Sequence, residues 1–351
     1  MVGGPGSAGR RASVTWQPRV SVIVPTRERP DDVRRALQAL LNSDYPHFEV
    51  LLAVDPGEKG TTPEFLEALL GHEWHLARES PSVADVLAQV SLTAADGKRV
   101  RHLTIRGRGV SAARNAAAAC ADGEILAFTD DDCTVAPDWL QRIASTFAGT
   151  PELGALCGPL VPAPHDPTQV YIPEYRPARS VRLTHRFVRP WLLGVGANMA
   201  IRAAIFRRLG GFDTRLGGGT PQKTAEDINL TYRILRQRLP VYLDANNGVL
   251  HWGARAVADG TSRELQRGSW YGMGASYGIL FGEGDLVAGA ALGRILLSGL
   301  FLAGLQVVRG RRPELPASVA VAGFVRGLRV SRHPLQRARR ARPAPAQHVL
   351  T

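Results

Sequence analysis

The sequence predicts an α/β protein with a mostly parallel central sheet, and three observations support this. Short apolar segments alternate with helical segments along the first half of the chain, as in βα units. Ile125–Phe128 contains no polar residue, which is typical of a strand buried on both faces. Carboxylates follow two of these segments directly, at Asp55 and Asp130. The carboxyl ends of strands are where open α/β sheets bind ligands.

Local signals predict the elements of the first half. A strand begins at Val20 and ends at Pro25, and Pro30 starts a helix whose first-turn acids complement the helix dipole. Residues 56–100 are mostly polar and are predicted to form an irregular insertion. The remaining predicted elements are the strand Glu49–Val54, the helical segment Pro63–Leu70, the strand His102–Arg106, the helix Val110–Ala121, the strand Ile125–Phe128 and the helix Pro137–Phe147.

A proline-rich connection, residues 159–177, separates the first half from a second half. Glu226 and Asp227 open an amphipathic helix there, and the simplest interpretation makes them first-turn acids with Thr224 as the N-cap. The other predicted features of this half are small residues from Gly194 leading into a strand that ends at Arg202, a helix from Ala203 to Gly210, a glycine-rich loop Gly217–Thr220, and short strands at Val241–Leu243 and Val249–Leu250.

The chain of 351 residues carries a net charge of +12, and its arginines crowd the two ends. Such asymmetry suggests contact with a phosphate-rich surface, either anionic lipid or nucleic acid. Cys120, Cys133 and Cys157 form neither a CxxC pair nor an even disulfide set, so they are expected to be buried thiols in a reducing cytosol. The N-terminus has no apolar core typical of a signal peptide.

Three consecutive carboxylates, Asp130, Asp131 and Asp132, follow the strand Ile125–Phe128. Like charges at the end of a buried strand repel one another unless a cation neutralises them. Carboxylates on a short loop suit Mg²⁺ or Mn²⁺, which takes further ligands from substrate phosphates. The alternative is a solvated acidic turn that caps the helix begun by Pro137.

A dinucleotide-binding enzyme is a rival interpretation. The pattern Gly107-x-Gly109-x-x-Ala112 matches the fingerprint of NAD and FAD sites between a strand and a helix, with Asp130 about 20 residues further on. Two features oppose it. A βαβ unit already precedes this turn, and a dinucleotide site needs one acid for the ribose rather than three in a row.

Several motifs together resemble the family-2 glycosyltransferases of GT-A fold, which use nucleotide-diphosphate sugars and invert the anomeric centre. The resemblance covers roughly residues 19–255, and the order and spacing of its motifs are more specific than any one of them. The matching segments are Val22-Ile23-Val24-Pro25-Thr26, Val54-Asp55, Ser111-Ala112-Ala113-Arg114-Asn115, Phe128-Thr129-Asp130-Asp131-Asp132, Gly196-Ala197-Asn198-Met199-Ala200, Gly210-Gly211-Phe212-Asp213, Ala225-Glu226-Asp227 and Leu250-His251-Trp252.

The resemblance implies a role for each site residue. Asp130 and Asp132 would form the DxD motif that binds Mn²⁺ or Mg²⁺, with Asp132 as the direct ligand and His251 as a further one. Asp227 would be the catalytic base, with Glu226 beside it. The residues implied in donor binding are Pro25, Thr26, Asp55, Arg114, Asp130 and Asp131, where Asp55 would contact the base or ribose.

The same resemblance implies the partners: a UDP-, dTDP- or GDP-sugar as donor and a glycan or lipid-linked molecule as acceptor. Nucleic acid is not expected, because the C-terminal arginines have almost no aromatic residues among them. A membrane surface and a second copy of the chain are further candidate partners. The expected location is cytoplasmic, peripheral on the inner face of the cell membrane.

The apolar run Leu286–Val308 has the length of ~20 residues that a bilayer span requires, but it contains Arg294. A single span would place the basic tail on the side opposite the α/β domain, against the positive-inside rule. Residues 315–330 are amphipathic enough to lie in a membrane interface. Three alternatives remain open from sequence: spanning the bilayer, lying on it, or packing as soluble helices.

These patterns predict four segments along the chain. Residues 1–18 are expected to be disordered, and residues 19–260 to form the GT-A domain, with a nucleotide-binding half to about residue 160 and an acceptor half after it. Residues 261–335 are expected to be a helical extension associated with a membrane, and residues 336–351 a basic disordered tail.

Overall fold

Strands and helices alternate along the computed structural model, which describes residues 16–55, 57, 60–107, 109–258, 260–308 and 316–331. The strands are β1 Val20–Thr26, β2 Phe48–Val54, β3 Trp74–Glu79, β4 Val86–Ala94, β5 Arg99–Ile105, β6 Ile125–Phe128, β7 Cys133–Val135, β8 Ala155–Cys157, β9 Leu160–Pro162, β10 Val170–Tyr171, β11 Val181–Leu183, β12 Met199–Arg202, β13 Val241–Leu243, β14 Val249–His251 and β15 Arg255–Ala256. The helices are α1 Pro30–Leu41, α2 Pro63–Leu70, α3 Val110–Cys120, α4 Trp139–Gly149, α5 Ala203–Leu209, α6 Glu226–Arg236, α7 Thr261–Gly282, α8 Leu286–Val308 and α9 Pro316–Ser331.

The centre of the main sheet is parallel. β1 lies between β2 and β6, with Val22 opposite Val50 on one side and Ala127 on the other, and β5 pairs with β2 in the same direction. The side chains of β1, β2 and β6 are almost all buried, on both faces of the sheet, which explains why β1 and β6 carry no charged residue and β2 carries only Glu49. The predicted α/β fold is confirmed, and the carboxyl ends of β1, β2 and β6 meet at one edge of the sheet.

The second half of the chain extends this sheet with antiparallel pairing. Within the described residues the sheet has ten strands, in the order β11-β13-β8-β12-β6-β1-β2-β5-β4-β3. β12 pairs antiparallel to both β6 and β8, with Met199 opposite Phe128 and Cys157. A separate three-stranded sheet, β7-β14-β9, places His251 opposite Cys133. This register fixes the position of His251 relative to the acidic loop after β6.

The prediction of an irregular insertion at residues 56–100 is wrong apart from α2. This segment contains β3 and β4, which pair antiparallel and continue the sheet beyond β5. Most side chains of β3 are exposed, so the strand lacks the apolar signal on which the prediction depended. Its partner in the sheet, rather than its own sequence, makes it a strand.

The start of α6 also differs from the simplest interpretation. Ala225, not Thr224, occupies the N-cap position, with a left-handed φ of 73° and no side-chain cap hydrogen bond. The Ile228 N–H instead donates to the Asp227 carboxylate, at 2.7 Å. A non-glycine residue in this conformation is uncommon and marks a turn whose shape is set by its surroundings.

The C-terminal extension is helical, as predicted, and packs on the α/β domain. α7 and α9 approach so closely that a Cβ added at Gly274 would lie 1.9 Å from the Ala320 carbonyl oxygen. Ile295 of α8 belongs to the same buried cluster as Leu230 of α6. By length and composition, α8 could cross a membrane. The disorder predicted for residues 1–18 and 336–351 falls on positions that lie largely or wholly outside the described residues.

Candidate active site

A cavity of about 640 Å³ opens at the carboxyl edge of β1, β2 and β6. Every site residue suggested by the sequence contributes to its wall, although these residues come from widely separated parts of the chain. They are Pro25, Thr26, Asp55, Arg114, Asp130, Asp131, Asp132, Glu226, Asp227 and His251. The structure therefore brings the ten residues together at one site.

Asp130 and Asp132, the outer two of the three carboxylates after β6, face different partners. The Cys133 N–H donates to the Asp130 carbonyl at 3.1 Å, which closes a tight turn. Asp130 then accepts a hydrogen bond from Arg114, whereas Asp132 lies beside His251. Consecutive acids thus have different environments, and a tight turn is the local reason. Side-chain accessibility follows the same division, with Asp130 at 33% and Asp132 at 7%.

Asp132 and His251 form a buried pair. His251 Nδ1 lies 3.0 Å from the Pro173 carbonyl, which can only accept a hydrogen bond, so Nδ1 carries a hydrogen and Nε2 faces Asp132 Oδ1 at 3.4 Å. Burial alone would lower the pKa of His251, but the Asp132 carboxylate raises it above its ordinary value. Burial alone would likewise raise the pKa of Asp132, but His251 and Arg29 lower it.

This pair fits a divalent cation. A Cβ at position 253 would lie 2.5 Å from Asp132 Oδ2 and 2.6 Å from His251 Nε2, so Gly253 keeps the space between the two donors open. Carboxylate oxygens and imidazole nitrogens are suitable ligands for Mn²⁺. The hydrogen bond from the other ring nitrogen to a carbonyl orients the imidazole. Cys133 lies close enough to be a third donor. However, burial raises the pKa of the Cys133 thiol well above its ordinary value, so this thiol is protonated and a poor ligand.

Arg29 is a site residue that the sequence analysis missed. One of its nitrogens lies 3.1 Å from Asp131 Oδ1 and 3.0 Å from Asp132 Oδ2. Burial raises the pKa of Asp131 to about 6 even though Arg29 opposes this shift. Arg29 precedes α1 and is more than 100 residues away from these acids, so no local pattern could have predicted the contact.

Arg114 links the two acidic segments of the cavity. From α3 its guanidinium donates to Asp130 Oδ1 at 2.6 Å and to Glu226 Oε1 at 3.0 Å, and it lies 5.4 Å from the centre of the Phe212 ring. Burial alone would lower the pKa of Arg114, but the two carboxylates raise it. The arginine stays charged and holds the loop after β6 against the start of α6. Its predicted role in donor binding stays a prediction.

Asp227 is oriented by two backbone donors. The Gly196 N–H donates to Oδ2 at 2.8 Å, and the Ile228 N–H donates to Oδ1 at 2.7 Å. Burial nevertheless raises the pKa of Asp227 above its ordinary value. Burial, followed by the charge of Asp227, raises the pKa of Glu226 to about 7. Both acids therefore have a higher pKa than exposed carboxylates. They differ in their hydrogen-bond donors, since Glu226 accepts from Arg114 and Asp227 accepts from backbone N–H groups.

Comparison with known proteins shows the family of the chain. A model of glycosyl transferase family 2 matches residues 21–210, more than half of the chain. The chain belongs to glycosyltransferase family 2. The O-antigen biosynthesis protein RfbC of Myxococcus xanthus is 30% identical over 69% of this glycosyltransferase and 18% of its own length. Glucosyl-dolichyl phosphate glucuronosyltransferase of Haloferax volcanii is 24% identical over 62% of this chain and 64% of its own. The chain thus spans less than two thirds of either relative.

Solved structures show the same GT-A fold. Mannosyltransferase PcManGT of Pyrobaculum calidifontis, in complex with GDP-Man and Mn²⁺, superposes with a TM-score of 0.58 at 20% identity, covering 90% of this glycosyltransferase and 88% of that chain. S. aureus TarS 1-349 in complex with UDP-GlcNAc gives a TM-score of 0.54 at 16% identity, covering 88% and 81%. At these identities the comparison establishes the fold.

Gly109 of the rival dinucleotide motif has a structural explanation in this glycosyltransferase. The Val110 N–H, at the start of α3, donates to the Gly218 carbonyl at 2.9 Å. A Cβ on Gly109, whose φ is 98°, would approach that carbonyl oxygen to 3.0 Å. The first turn of α3 therefore packs against the loop around Gly218. Together with the family assignment, this packing replaces the dinucleotide interpretation.

The cavity wall extends beyond the family match. Leu265, Gln266 and Ser269 of α7 contribute to the wall, and Asp55 at the end of β2 contributes from the other half. Asp55 Oδ1 accepts a hydrogen bond from the Gly57 N–H at 3.2 Å. The sequence of α7 carries no motif that points to the site. Its contribution follows from the way the helical extension packs on the domain.

Proposed function

We propose that this glycosyltransferase moves a sugar from a nucleotide-diphosphate sugar to an acceptor hydroxyl with inversion at the anomeric carbon. The observation that carries the proposal is the position of Arg114, whose guanidinium contacts both the acidic loop after β6 and the first turn of α6. This contact supports the proposal because it holds together the two segments that carry the proposed cation ligand Asp132 and the proposed base Asp227. In an inverting displacement a base activates the acceptor on the face opposite the leaving group, where a cation can stabilise the departing diphosphate.

Asp227 is the proposed base. Two backbone N–H groups hold its carboxylate in place, and burial raises its pKa above the ordinary value, which makes the carboxylate a stronger proton acceptor. Glu226 is less suited to this role because its carboxylate accepts from Arg114. In the proposed reaction the acceptor hydroxyl gives its proton to Asp227 as its oxygen bonds to the anomeric carbon. The bond from that carbon to the diphosphate oxygen breaks at the same time.

Asp132 and His251 are the residues proposed to hold the cation. When bound, Mn²⁺ or Mg²⁺ would supply Lewis-acid neutralisation of the charge that grows on the leaving diphosphate. The supporting observations are the 3.4 Å approach of the two donor atoms and the space kept open by Gly253. Asp130, the third predicted ligand, instead accepts from Arg114, so its role would be to align the turn.

The donor and acceptor are proposed only as classes. The relatives and structural neighbours are named for different sugars and acceptors, among them GDP-Man, UDP-GlcNAc and a dolichyl phosphate. A UDP-, dTDP- or GDP-sugar is therefore the proposed donor, with Asp55 toward its base or ribose and Pro25 and Thr26 beside it. The acceptor is a hydroxyl on a glycan or lipid-linked molecule. The cytoplasmic location on the inner face of the membrane stays a prediction.

Replacement of Asp227 by Asn tests the mechanism. This variant keeps the volume and can keep one of the two backbone hydrogen bonds, but it cannot accept the proton. Transfer should fall by ~10² or more, the usual size of general-base catalysis, while donor affinity changes little. Glu226→Gln is the matched control, because the same chemical change one residue away should have a smaller effect. An Asp227→Asn variant that folds and turns over near the parent rate would rule out the base.

A donor screen tests the substrate class. A panel of nucleotide sugars is added to the protein with Mn²⁺, with Mg²⁺ or with a chelator, and thermal stability is measured. We expect cation-dependent stabilisation by one UDP-, dTDP- or GDP-sugar. Stabilisation by NAD(P) alone would contradict the proposal. Analysis of the product anomer by NMR would show whether the transfer inverts.

A further inference from the structure

Helix α8 has an unusual distribution of side chains for a helix that is exposed to water. The buried side of the helix has mostly small residues, whereas the side facing away from the protein has large apolar ones. The buried residues are Ala288, Ala291, Ile295, Gly299 and Ala303. The exposed large residues are Leu286, Leu297, Leu300, Phe301, Val307 and Val308.

These exposed residues lie on one side of the helix, one at its start and five in its second half. At 3.6 residues per turn they fall within about a third of the helix circumference, which we call the outer face of α8. Exposure is high over the second half of the helix, with 69% at Leu297, 67% at Phe301 and 85% at Val308. The sequence of α8 contains no acid and no lysine, and Arg294 is its one charged residue.

We propose that the outer face of α8 docks this glycosyltransferase on the surface of an anionic lipid bilayer. Small residues facing a protein neighbour and large apolar residues facing outward are the arrangement that lipid selects, because lipid tails solvate Leu, Phe and Val. In water the same arrangement exposes a large apolar patch, which marks an interaction surface.

The helix lies along the membrane in this proposal and does not cross it. Arg294, in the ninth position of α8, donates to the Phe187 carbonyl of the α/β domain at 2.9 Å. Ala288 and Ile295 share a buried cluster with Tyr232 of that domain. Half of the helix is therefore attached along its length to a domain that is too polar to enter a bilayer. Phe187, which is also exposed, lies next to this contact and would add to the docking surface.

Charge favours anionic lipid over a second copy of the chain. Arg326 and Arg329 are exposed on α9, close to the exposed Val325, and α9 packs against α8. The chain carries a net charge of +12, and in sequence three arginines follow α8 within four residues. Each Lys or Arg near an anionic leaflet strengthens binding. A symmetric dimer through the outer face would instead bring the arginines of the two copies toward one another.

Vesicle binding by the full chain tests this proposal, which does not depend on transfer activity. Vesicles of phosphatidylcholine alone and of phosphatidylcholine with phosphatidylglycerol are sedimented with the parent and with a Leu297→Asp/Phe301→Asp double variant. We expect the parent to sediment with the anionic vesicles and less with the neutral ones, with weaker binding in high salt. The double variant should partition about tenfold less or weaker still.

Leu87→Asp is the matched control, since Leu87 is an exposed apolar residue on β4, outside the helical extension. This variant should bind vesicles like the parent. Circular dichroism and melting temperature confirm that each variant is folded. If the double variant does not fold, Leu297→Cys with an environment-sensitive label replaces it, because the three natural cysteines are buried. The label should shift to shorter wavelength on anionic vesicles, and one on Leu87→Cys should not.

Three results would overturn the proposal. The first is failure of the parent to bind anionic vesicles. The second is equal binding by the parent and by the folded double variant, or no shift of the label at position 297. The third is a parent that does not bind vesicles but is a dimer by light scattering, which the double variant converts to a monomer. That outcome would assign the outer face to a second copy.

Discussion

Replacing Arg114 by Met should destabilise the fold severely, because the buried Arg114 neutralises the largely buried Glu226 and the partly exposed Asp130. Its side chain is 3% exposed, and its guanidinium contacts Asp130 and Glu226 at 2.6 and 3.0 Å. Met fills much of the volume but leaves both acids without their partner. Removing one member of a buried ion pair costs ~3–5 kcal/mol of unfolding free energy. For a domain of this size that corresponds to a melting temperature lower by roughly 10 °C.

The loss should depend on pH, and its sign follows from Glu226. In the parent, burial raises the pKa of Glu226 to about 7, although Arg114 opposes this shift. Without Arg114 the folded-state pKa rises further, whereas the unfolded chain keeps the ordinary value. Between these two values the folded state holds a proton that the unfolded state has released, so stability falls as pH rises. The deficit of the variant should therefore be smallest near pH 5 and largest near pH 8.

Urea unfolding at pH 5, 6, 7 and 8 measures this effect. Arg142→Met is the matched control, since Arg142 contacts Asp138 at the same 2.6 Å but both side chains are about half exposed. An exposed pair contributes little, because water and salt screen it, so this variant should resemble the parent at every pH. Equal losses in the two variants, or a loss in Arg114→Met that does not change with pH, would refute the reasoning.

Three further predictions concern the same cavity. Asp132→Ala should abolish cation-dependent stabilisation by the donor, whereas Asp131→Ala should be milder; unchanged cation dependence in Asp132→Ala would contradict the ligand assignment. Gly253→Ala should weaken Mn²⁺ binding measured by calorimetry, because its Cβ would lie 2.5 Å from Asp132 Oδ2; parent-like affinity would show that the cation binds elsewhere. Because the pKa of Glu226 is raised to about 7, the unfolding free energy of the parent should fall as pH rises from the ordinary carboxyl pKa to about 7. Glu226→Gln should make this fall smaller, and urea unfolding as a function of pH checks this.

Most residues of the candidate site could be predicted because its acids lie beside recognisable local sequence patterns. Asp55 and Asp130 follow apolar strands directly, and parallel neighbours bring the ends of such strands to one edge. The place of His251 in the site could be predicted from the short strand before it and from the order of the motifs along the chain. Arg29 was not predictable, because its contacts with Asp131 and Asp132 depend on how the loop before α1 crosses the sheet.

The sequence by itself determined the parallel centre of the sheet and the helix α8. A strand without polar residues, such as Ile125–Phe128, is expected where both faces of the sheet are covered. The segment Leu286–Val308 is apolar over a length that favours a helix. These are properties of single segments, so they can be read from the chain directly.

Only the tertiary structure decided which segments meet. β3 is a strand because β4 pairs with it, and polar edge strands carry little signal of their own. Residues of α7 reach the cavity because α7 packs closely on the segment before α6, where a Cβ on Gly272 would lie 2.5 Å from the Thr224 side chain. The sequence of α8 is apolar around the whole helix, so it does not show which side is exposed. The outer face is the side opposite to the one that packs on the protein core. Contacts between distant segments, and the side of a helix that they cover, are set by the packing of the whole chain.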